Sequence, residues 1–282
     1  MTAFVVHWNQ PNECIGTVRR LQAQGVSRIL VIDNASTKQN RDLLRSGVGQ
    51  EAEIFELPQN KGWGAALNIA LAQWLKSEPD PFCLISAHDA APAEDCVRLL
   101  VQAMQRDPRL GIVCPQYADA TVAWFSCMHG VRERQSVPSQ TGDVQLVDVP
   151  HGTLMVVRRE CLAQTGLFDE RYFAYGDEHE LGLRARRYGW NVGLVWGAIV
   201  TNRGTWTPSE LRSYLFTRNS LLLVRDYCGK LSAWARAGLI LINTLRLMIN
   251  RSQKGFAFEP RARWRGVRDY LSGRYGEPRR AR

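Results

Sequence analysis

Short runs rich in apolar residues alternate with helix-like stretches through the first 114 residues. The apolar runs predict strands at residues 3–7, 28–32, 52–56, 82–86 and 111–114. Between them, apolar positions at helical spacing predict helices at residues 12–24, 39–46, 62–76 and 93–106. This alternation predicts an α/β fold in which helices flank a Rossmann-like, doubly wound, mostly parallel sheet.

The second half of the chain is less regular. Residues 115–147 lose periodicity and gain Ser, Thr, Gly and Gln, which predicts a variable loop or short strands over the site. Beyond them the pattern predicts strands at 152–157 and 191–195, helices at 159–164, 181–188, 208–227 and 230–250, and a loose basic end. We therefore predict one domain of residues 1–205 and a C-terminal helical appendage of residues 206–282.

Polar residues follow the predicted strands, at the sheet edge where ligands bind in α/β folds. Asp33 and Asn34 follow the second strand and can accept hydrogen bonds from a nucleobase or ribose, although the same segment also suits a simple turn. Asn60-x-Gly62-x-Gly64 precedes a helix and lets the backbone approach a bound group. It matches neither the GxGxxG motif of dehydrogenases nor a P-loop.

His88 and Asp89 follow the apolar strand at 82–86. A carboxylate in that position can bind a divalent cation that bridges two phosphates, and His88 can position the metal or the nucleotide. A lone surface aspartate and a structural histidine are the commoner explanations of such residues.

The segment Asp177-Glu178-His179-Glu180 places three carboxylates at the start of a predicted helix. Negative side chains there stabilise the helix through its dipole, so simple capping explains the pattern by itself. The aromatic residues just before it, Tyr172-Phe173-Ala174-Tyr175, favour a pocket instead. One carboxylate of the cluster can then serve as a general base.

Four segments in this order resemble family 2 of the glycosyltransferases, whose fold is called GT-A, and most closely its rhamnosyltransferase-like branch. They are Val31–Ser36, Asn60–Asn68, Ile85–Pro92 and Gly152 through Arg184. The resemblance extends over residues 3 to about 225. It implies a metal-dependent, inverting transfer of a sugar from a nucleoside diphosphate to a hydroxyl group.

The resemblance also implies roles for individual residues. The nucleoside is expected to contact the first loop and the end of the second strand, and later segments are expected to complete the same donor pocket. The residues of this pocket are Trp8, Asn9, Asp33, Asn34, Asn60, Gly62, Asn68 and His88. Asp89 takes the metal-binding place, where magnesium or manganese is expected. Glu178, next to Asp177, takes the place of the catalytic base. Arg218-Asn219 resembles the family's Arg-Asn pair, which adds Arg218 to the donor site.

Three positions depart from the family's pattern. Ala87 and His88 stand where the first acid of the metal motif is expected. The usual Glu-Asp order is reversed in Asp177-Glu178. Thr201-Asn202-Arg203 occupies the region of a family histidine, and an arginine there can neutralise the leaving diphosphate directly.

Charge and cysteine content add expectations about location. From Arg203 onward there are 17 Lys and Arg against 5 Asp and Glu, and before it 19 against 22, so the net charge of +9 comes from the tail. Such a tail suits anionic lipid or nucleic acid, and nucleic acid is disfavoured because few stacking aromatics accompany it. Seven scattered cysteines predict reduced thiols, and the lack of a signal-peptide pattern predicts a cytoplasmic protein, with the inner face of the plasma membrane as one site.

Residues 230–250 predict a helix whose apolar side suits either a membrane interface or packing in the core or in a homodimer. No apolar run is long enough to span a membrane. The predicted partners are therefore a nucleoside diphosphate sugar, dTDP-rhamnose being the first candidate, and a glycan or lipid-linked acceptor in surface polysaccharide synthesis. The alternative is an inactive transferase-fold protein that only binds nucleotide or glycan.

Overall fold

A computed structural model describes residues 1–77, 79–202, 204, 207–249 and 258–278. Within these residues, nine strands form the main sheet, and six of them run in one direction. Helices flank the sheet, which confirms the predicted α/β class. Apolar residues on each face of the sheet form two large core clusters with those helices.

The first half of the sheet has the predicted alternation of strands and helices. Its elements are β1 (Thr2–His7), α1 (Pro11–Ala23), β2 (Arg28–Asp33), α2 (Lys38–Val48), β3 (Glu53–Glu56), α3 (Trp63–Ser77), β4 (Phe82–Ala87), β5 (Ala90–Pro92) and α4 (Cys96–Arg106). Strands β3, β2, β1 and β4 are neighbours in that order and parallel. Every residue of β1 is buried, because helices cover both faces of a central parallel strand.

The second half completes the sheet and adds a hairpin. Its elements are β6 (Leu110–Tyr117), β7 (Thr121–Ser126), β8 (Gly130–Gln135), β9 (Val144–Leu146), β10 (Leu154–Arg158), α5 (Arg159–Thr165), α6 (Asp177–Arg187) and β11 (Asn191–Asn202). Strand β10 lies antiparallel between β4 and β6. The region 115–147, which sequence left as a loop or short strands, forms the end of β6, the separate β7–β8 hairpin and β9.

Two long helices complete the described chain: α7 (Ser209–Ile249), interrupted by non-helical backbone at Gly229, and α8 (Pro260–Leu271). The interruption agrees with the two helices predicted at 208–227 and 230–250. The prediction of a loose basic end was wrong for residues 258–278, because α8 packs against α7 through Val267 and Tyr270. None of the described helices combines the length and apolar character that crossing a membrane requires.

The cysteines also correct a prediction. Cys127, in the turn of the β7–β8 hairpin, forms a disulfide with Cys228 of α7. The other five are free and buried: Cys14, Cys83, Cys96, Cys114 and Cys161. Scattered spacing therefore failed to reveal the pair, because the two cysteines lie 101 residues apart and meet only when the hairpin packs on α7.

Candidate active site

Asp33, at the end of β2, is fully buried and bonded within the protein. One carboxylate oxygen accepts a 2.8 Å hydrogen bond from Nδ1 of His7, and the other accepts one from the backbone of Ser36. Burial acts to raise the pKa of Asp33, but the bonds from His7 and Ser36 outweigh it and hold the pKa below its ordinary value. Both carboxylate oxygens of Asp33 are therefore bonded within the protein.

Trp8 and Asn9 form the loop after β1, and both are partly buried. Asn9 has a left-handed backbone, with φ of 56°, and its side-chain oxygen accepts a 2.8 Å bond from the backbone of Thr37. Its backbone nitrogen donates to Oγ of Ser36. The first loop is thus joined to the turn after β2.

The segment before α3 is held by Asn34. Its side-chain nitrogen donates to the carbonyl of Gly62, and its oxygen accepts from the backbone of Lys61, each at 2.9 Å. Asn60 accepts from the backbone of Gly62 at 2.9 Å. A Cβ on Gly62 would lie 2.0 Å from the carbonyl oxygen of Phe173, so this glycine permits close contact with another loop. In this structure the group that lies close to Gly62 is therefore the protein backbone at Phe173.

Asn68, on α3, is a predicted donor-site residue whose side chain is bonded to the protein. Its amide both donates to the carbonyl of Phe168 and accepts from the backbone of Phe168, at 2.9 Å each. A further bond joins it to Glu170. Asn68 therefore fixes the loop before α6 to α3.

Asp89 lies between β4 and β5, where it is partly buried. Among the described residues, no basic side chain pairs with it. Burial raises its pKa to about 6 against its own backbone hydrogen bond, with a contribution from the charge of Glu13. A half-buried carboxylate without a cationic partner suits a divalent cation.

The described residues contain no group of three or more His, Cys, Asp or Glu side chains placed to hold a metal ion. A cation bound here would take one protein carboxylate, Asp89, and complete its shell with phosphate oxygens and water, as magnesium often does. Neighbouring His88 bonds to the carbonyl of Val6 at 3.3 Å, and its Nε2 is buried without a protein partner. Burial and the charge of His7 lower the pKa of His88 to about 4, which keeps the ring neutral.

The two carboxylates at the start of α6 have different surroundings. Asp177 is fully buried and accepts a 3.0 Å bond from the backbone of Gly64, at the start of α3. Burial and the charge of Glu178 raise its pKa well above the ordinary value. The Glu178 side chain keeps 15% of its surface exposed, and Gly152 lies beside it. Glu178 is thus the more exposed of the two carboxylates, and Asp177 is an internal support.

The Tyr175 hydroxyl is affected by the charges of both the candidate base, Glu178, and the candidate metal ligand, Asp89. Burial raises the pKa of its hydroxyl, and the negative charges of Glu178 and Asp89 add to that effect against a bond to Thr207 and the charge of Arg212. Both carboxylates therefore lie within electrostatic reach of one phenol. The backbone of Tyr175 is left-handed, with φ of 65°, a strained conformation of the kind often found at functional sites.

A polar cluster that the sequence did not reveal lies behind Glu178. His151 stacks on Tyr117, with ring centroids 4.2 Å apart, and bonds to the carbonyl of Pro115 at 2.7 Å. With His179, 3.6 Å from Glu178, these rings line a cavity of about 20 Å³, room for about one water molecule. Burial lowers the pKa of both histidines to about 4. His179 stood within a recognised motif, but its role depends on contacts distant in sequence.

Arg218, a predicted donor-site residue, is fully buried and contacts protein carbonyls. Its guanidinium donates to Tyr172 at 3.0 Å and to Gly276 at 2.8 Å. Asn219 beside it donates to Tyr172, Ala174 and Tyr175 at 2.8 Å each. The pair therefore anchors the loop that precedes Asp177. Arg203, the remaining donor candidate, lies outside the described residues.

Comparison with known proteins identifies the family of this chain. The sequence model described as "Glycosyl transferase family 2" matches residues 2–164, and that of "Glycosyl transferase family group 2" matches residues 84–271. An N-acetylglucosaminyl-diphospho-decaprenol L-rhamnosyltransferase of Mycobacterium tuberculosis is 26% identical over 248 residues, covering 75% of this chain and 78% of the relative.

Two solved structures share the fold. A mannosyltransferase from Pyrobaculum calidifontis, in complex with GDP-Man and Mn²⁺, superposes with a TM-score of 0.61 at 17% identity, covering 97% of this chain and 85% of its own. Glucosyl-3-phosphoglycerate synthase from Mycobacterium tuberculosis, in complex with Mg²⁺ and UDP, superposes at 0.58 with 16% identity, covering 81% and 79%. The fold is thus that of GT-A glycosyltransferases, and the chain belongs to glycosyl transferase family 2.

Proposed function

We propose that the protein is an inverting glycosyltransferase that uses Glu178 as its general base. Its donor is a nucleoside diphosphate sugar, with dTDP-rhamnose the first candidate, and its acceptor is a hydroxyl of a glycan or lipid-linked sugar. The rhamnosyltransferase relative, which is named for a decaprenol-linked acceptor, supports the lipid-linked choice. The carrying observation is that, of the two carboxylates at the start of α6, Asp177 is buried and bonded to Gly64 while Glu178 stays partly exposed.

The proposed reaction is a single displacement. Glu178 takes the proton from the acceptor hydroxyl while its oxygen bonds to the anomeric carbon, and the bond from that carbon to the diphosphate oxygen breaks. The diphosphate leaves with the bonding electrons, so the anomeric configuration inverts. When bound at Asp89, a magnesium or manganese ion would supply positive charge beside the diphosphate. From the sequence, we propose Arg203 as a second cation for the same charge.

The surrounding residues position this base. Asp177 is fixed to the start of α3 by Gly64, which holds the first turn of α6 against the loop that carries Gly62. Glu178 itself accepts a 3.0 Å bond from the backbone of Gly176, so its carboxylate folds back over the start of the helix. The base is thus held on a rigid element beside the predicted donor loops.

Release of nucleoside diphosphate from a panel of nucleotide sugars tests the proposal. Turnover should require magnesium or manganese and an acceptor, and Glu178→Gln should lower kcat on the order of 100 to 10,000-fold with little change in donor Kd. Glu160→Gln, which removes the same charge from the exposed surface of α5, should remain active. Equal turnover of the Glu178→Gln variant and wild type would exclude Glu178 as the base.

The second candidate is a transferase fold that binds nucleotide or glycan without turnover. The absence of a three-ligand metal group among the described residues and the reversed Asp177-Glu178 order favour it. Donor binding by calorimetry, with no release from any donor in the panel and any acceptor tried, would support this alternative.

A further inference from the structure

The second half of α7, from Lys230 to Ile249, has an uncovered apolar side, which we call the apolar stripe. Its members are large side chains with most or about half of their surface exposed: Leu231 (87%), Trp234 (65%), Leu239 (45%), Ile242 (65%), Leu245 (50%), Met248 (48%) and Ile249 (87%). Scattered exposed apolar residues are ordinary on a protein surface, whereas seven on one helix within 19 positions form a patch.

The stripe is on the side of the helix away from the protein. Ala233, Ala237, Ile240 and Thr244 are the buried positions of this half-helix, and their spacing of three and four places them on one face. That face packs with α8 through Val267 and Tyr270. The intramolecular contacts of the helix are therefore used on one side, and the stripe projects from the other.

Charge identifies the partner that this side suits. The sequence has no Asp or Glu between Asp226 and Glu259, while it has five basic residues: Lys230, Arg236, Arg246, Arg251 and Lys254. Lys230 and Arg246 are exposed, and neither forms an ion pair with another described residue. A second copy of the chain would bring the same positive charge and repel. An anionic lipid surface offers negative headgroups and an apolar layer together.

The stripe is also connected to the site. Arg236, on the same half-helix, donates to the carbonyl of Met128 at 3.2 Å, and the Cys127–Cys228 disulfide joins the hairpin turn to the start of this half-helix. Residues of that hairpin, including Glu133, line the cavity next to His179. The β7–β8 hairpin would thus connect a surface bound at the stripe with the polar cluster next to Glu178.

We propose that the apolar stripe inserts into the interface of an anionic membrane, with Lys230 and Arg246 at the level of the headgroups. Trp234 suits the interface because its ring is apolar and its indole N–H is polar. The helix lies along the surface, in agreement with the absence of a membrane-crossing helix among the described residues. This binding does not depend on the proposed reaction.

Flotation of the full-length protein with vesicles tests the proposal. The wild type should float with vesicles of equal parts phosphatidylcholine and phosphatidylglycerol, far less with phosphatidylcholine alone, and less as salt rises. Ile242→Gln with Ile249→Gln should lower partitioning roughly tenfold or more, because two inserted side chains are lost. The matched control is Val137→Gln with Leu146→Gln, which alters two exposed apolar residues outside α7 and should bind like wild type.

Two results would overturn the proposal: wild type that stays with neither vesicle, or equal flotation of the stripe variant and the control. A dimer in light scattering that the stripe variant converts to monomer, without vesicle binding, would assign the stripe to a second copy instead. Circular dichroism checks that the variants fold. Nucleoside diphosphate release with a water-soluble acceptor should be unchanged in the stripe variant, so loss of membrane binding and failure of the proposed reaction are told apart.

Discussion

The hydrogen-bond partners of its two ring nitrogens determine how the His7 side chain is held in this site. Its Nδ1 donates to Asp33, and its Nε2 accepts a 3.1 Å bond from the backbone of Gln10. In His151 the roles differ, because its Nε2 donates to the carbonyl of Pro115. Both rings are thus oriented by the partners available to them.

The His151 ring makes stability depend on acid. Burial lowers its folded pKa to about 4, against the bond to Pro115, and its Nδ1 is buried without a protein partner, so a second proton would have no acceptor. Because the unfolded pKa is near 6.5, the unfolded state binds more protons below that value, and stability is lost as pH falls from 6.5 toward 4.

Urea unfolding at several pH values measures this effect. Wild type should lose stability between pH 6.5 and pH 5 more steeply than His151→Gln, by up to about 1.4 kcal/mol per pH unit. Glutamine keeps an amide donor for the Pro115 carbonyl but does not titrate. The comparison uses slopes, so a constant loss of stability in the variant does not matter. Parallel slopes would show that His151 protonates equally in both states.

Gly62 is a position where a single methyl group decides the fit. A Cβ there would lie 2.0 Å from the Phe173 carbonyl, and the backbone φ is 87°. Gly62→Ala should lower the free energy of unfolding by about 2 to 4 kcal/mol. Gly25 has a similar φ of 80° but open space around it, so Gly25→Ala should cost about 1 kcal/mol. Equal losses in urea unfolding would show that the loop accommodates the methyl group.

At the scale of elements, the candidate base depends on contacts among α3, α6 and α7. The loop before α6 contains left-handed backbone at Phe173 and Tyr175. Such a strained conformation persists only when contacts with the surrounding structure hold it. Asn219 on α7 holds three carbonyls of this loop, and Gly64 at the start of α3 holds Asp177. The orientation of Glu178 is therefore set by residues on two other helices.

Asn219→Ala tests this support without touching a carboxylate. Three carbonyls would lose their donor, so stability should fall by about 1 to 3 kcal/mol, and kcat should fall roughly tenfold or more as the base is displaced. Ser220→Ala removes a hydroxyl from the adjacent position of the same helix and should retain kcat. If Asn219→Ala unfolds more easily yet turns over at the wild-type rate, the loop does not position the base.

At the scale of the whole molecule, the β7–β8 hairpin links the sheet to the C-terminal helices. The hairpin packs on α7 through Phe125 and Tyr227, and the Cys127–Cys228 disulfide makes that contact covalent. The division into residues 1–205 and 206–282 stays a prediction, as do the homodimer and the cytoplasmic location. The many contacts of Arg218 and Asn219 with the loop at 171–175 show that the C-terminal part participates in building the site.

The disulfide should stabilise the protein chiefly by restricting the unfolded chain. It joins residues 101 positions apart, so Cys127→Ser with Cys228→Ser should lower the free energy of unfolding by about 2 to 4 kcal/mol. A reducing agent should bring wild type to the same value and leave the double variant unchanged, as measured by urea unfolding. A reductant effect of the same size on the double variant would contradict the assignment of the stability to this pair.

The sequence by itself determined most strands and helices of the α/β fold, though not β5, because apolar periodicity reflects burial that is imposed locally along each strand and helix. It also determined the family through four ordered segments, and it placed Asp33 and Asp89 directly after strands and Glu178 at the start of a helix. It did not determine which of these side chains remain accessible.

Only the tertiary structure decided that Asp33, Asn68, Asp177 and Arg218 are buried and bonded within the protein and that Glu178 stays partly exposed. The partners of these groups, such as Gly64 for Asp177 and Tyr172 for Arg218, lie tens of residues away or more in sequence. The same holds for the Cys127–Cys228 pair and for α8 on α7. Local pattern records the chemical type of a residue, whereas its role depends on which distant groups occupy its hydrogen-bonding atoms after folding.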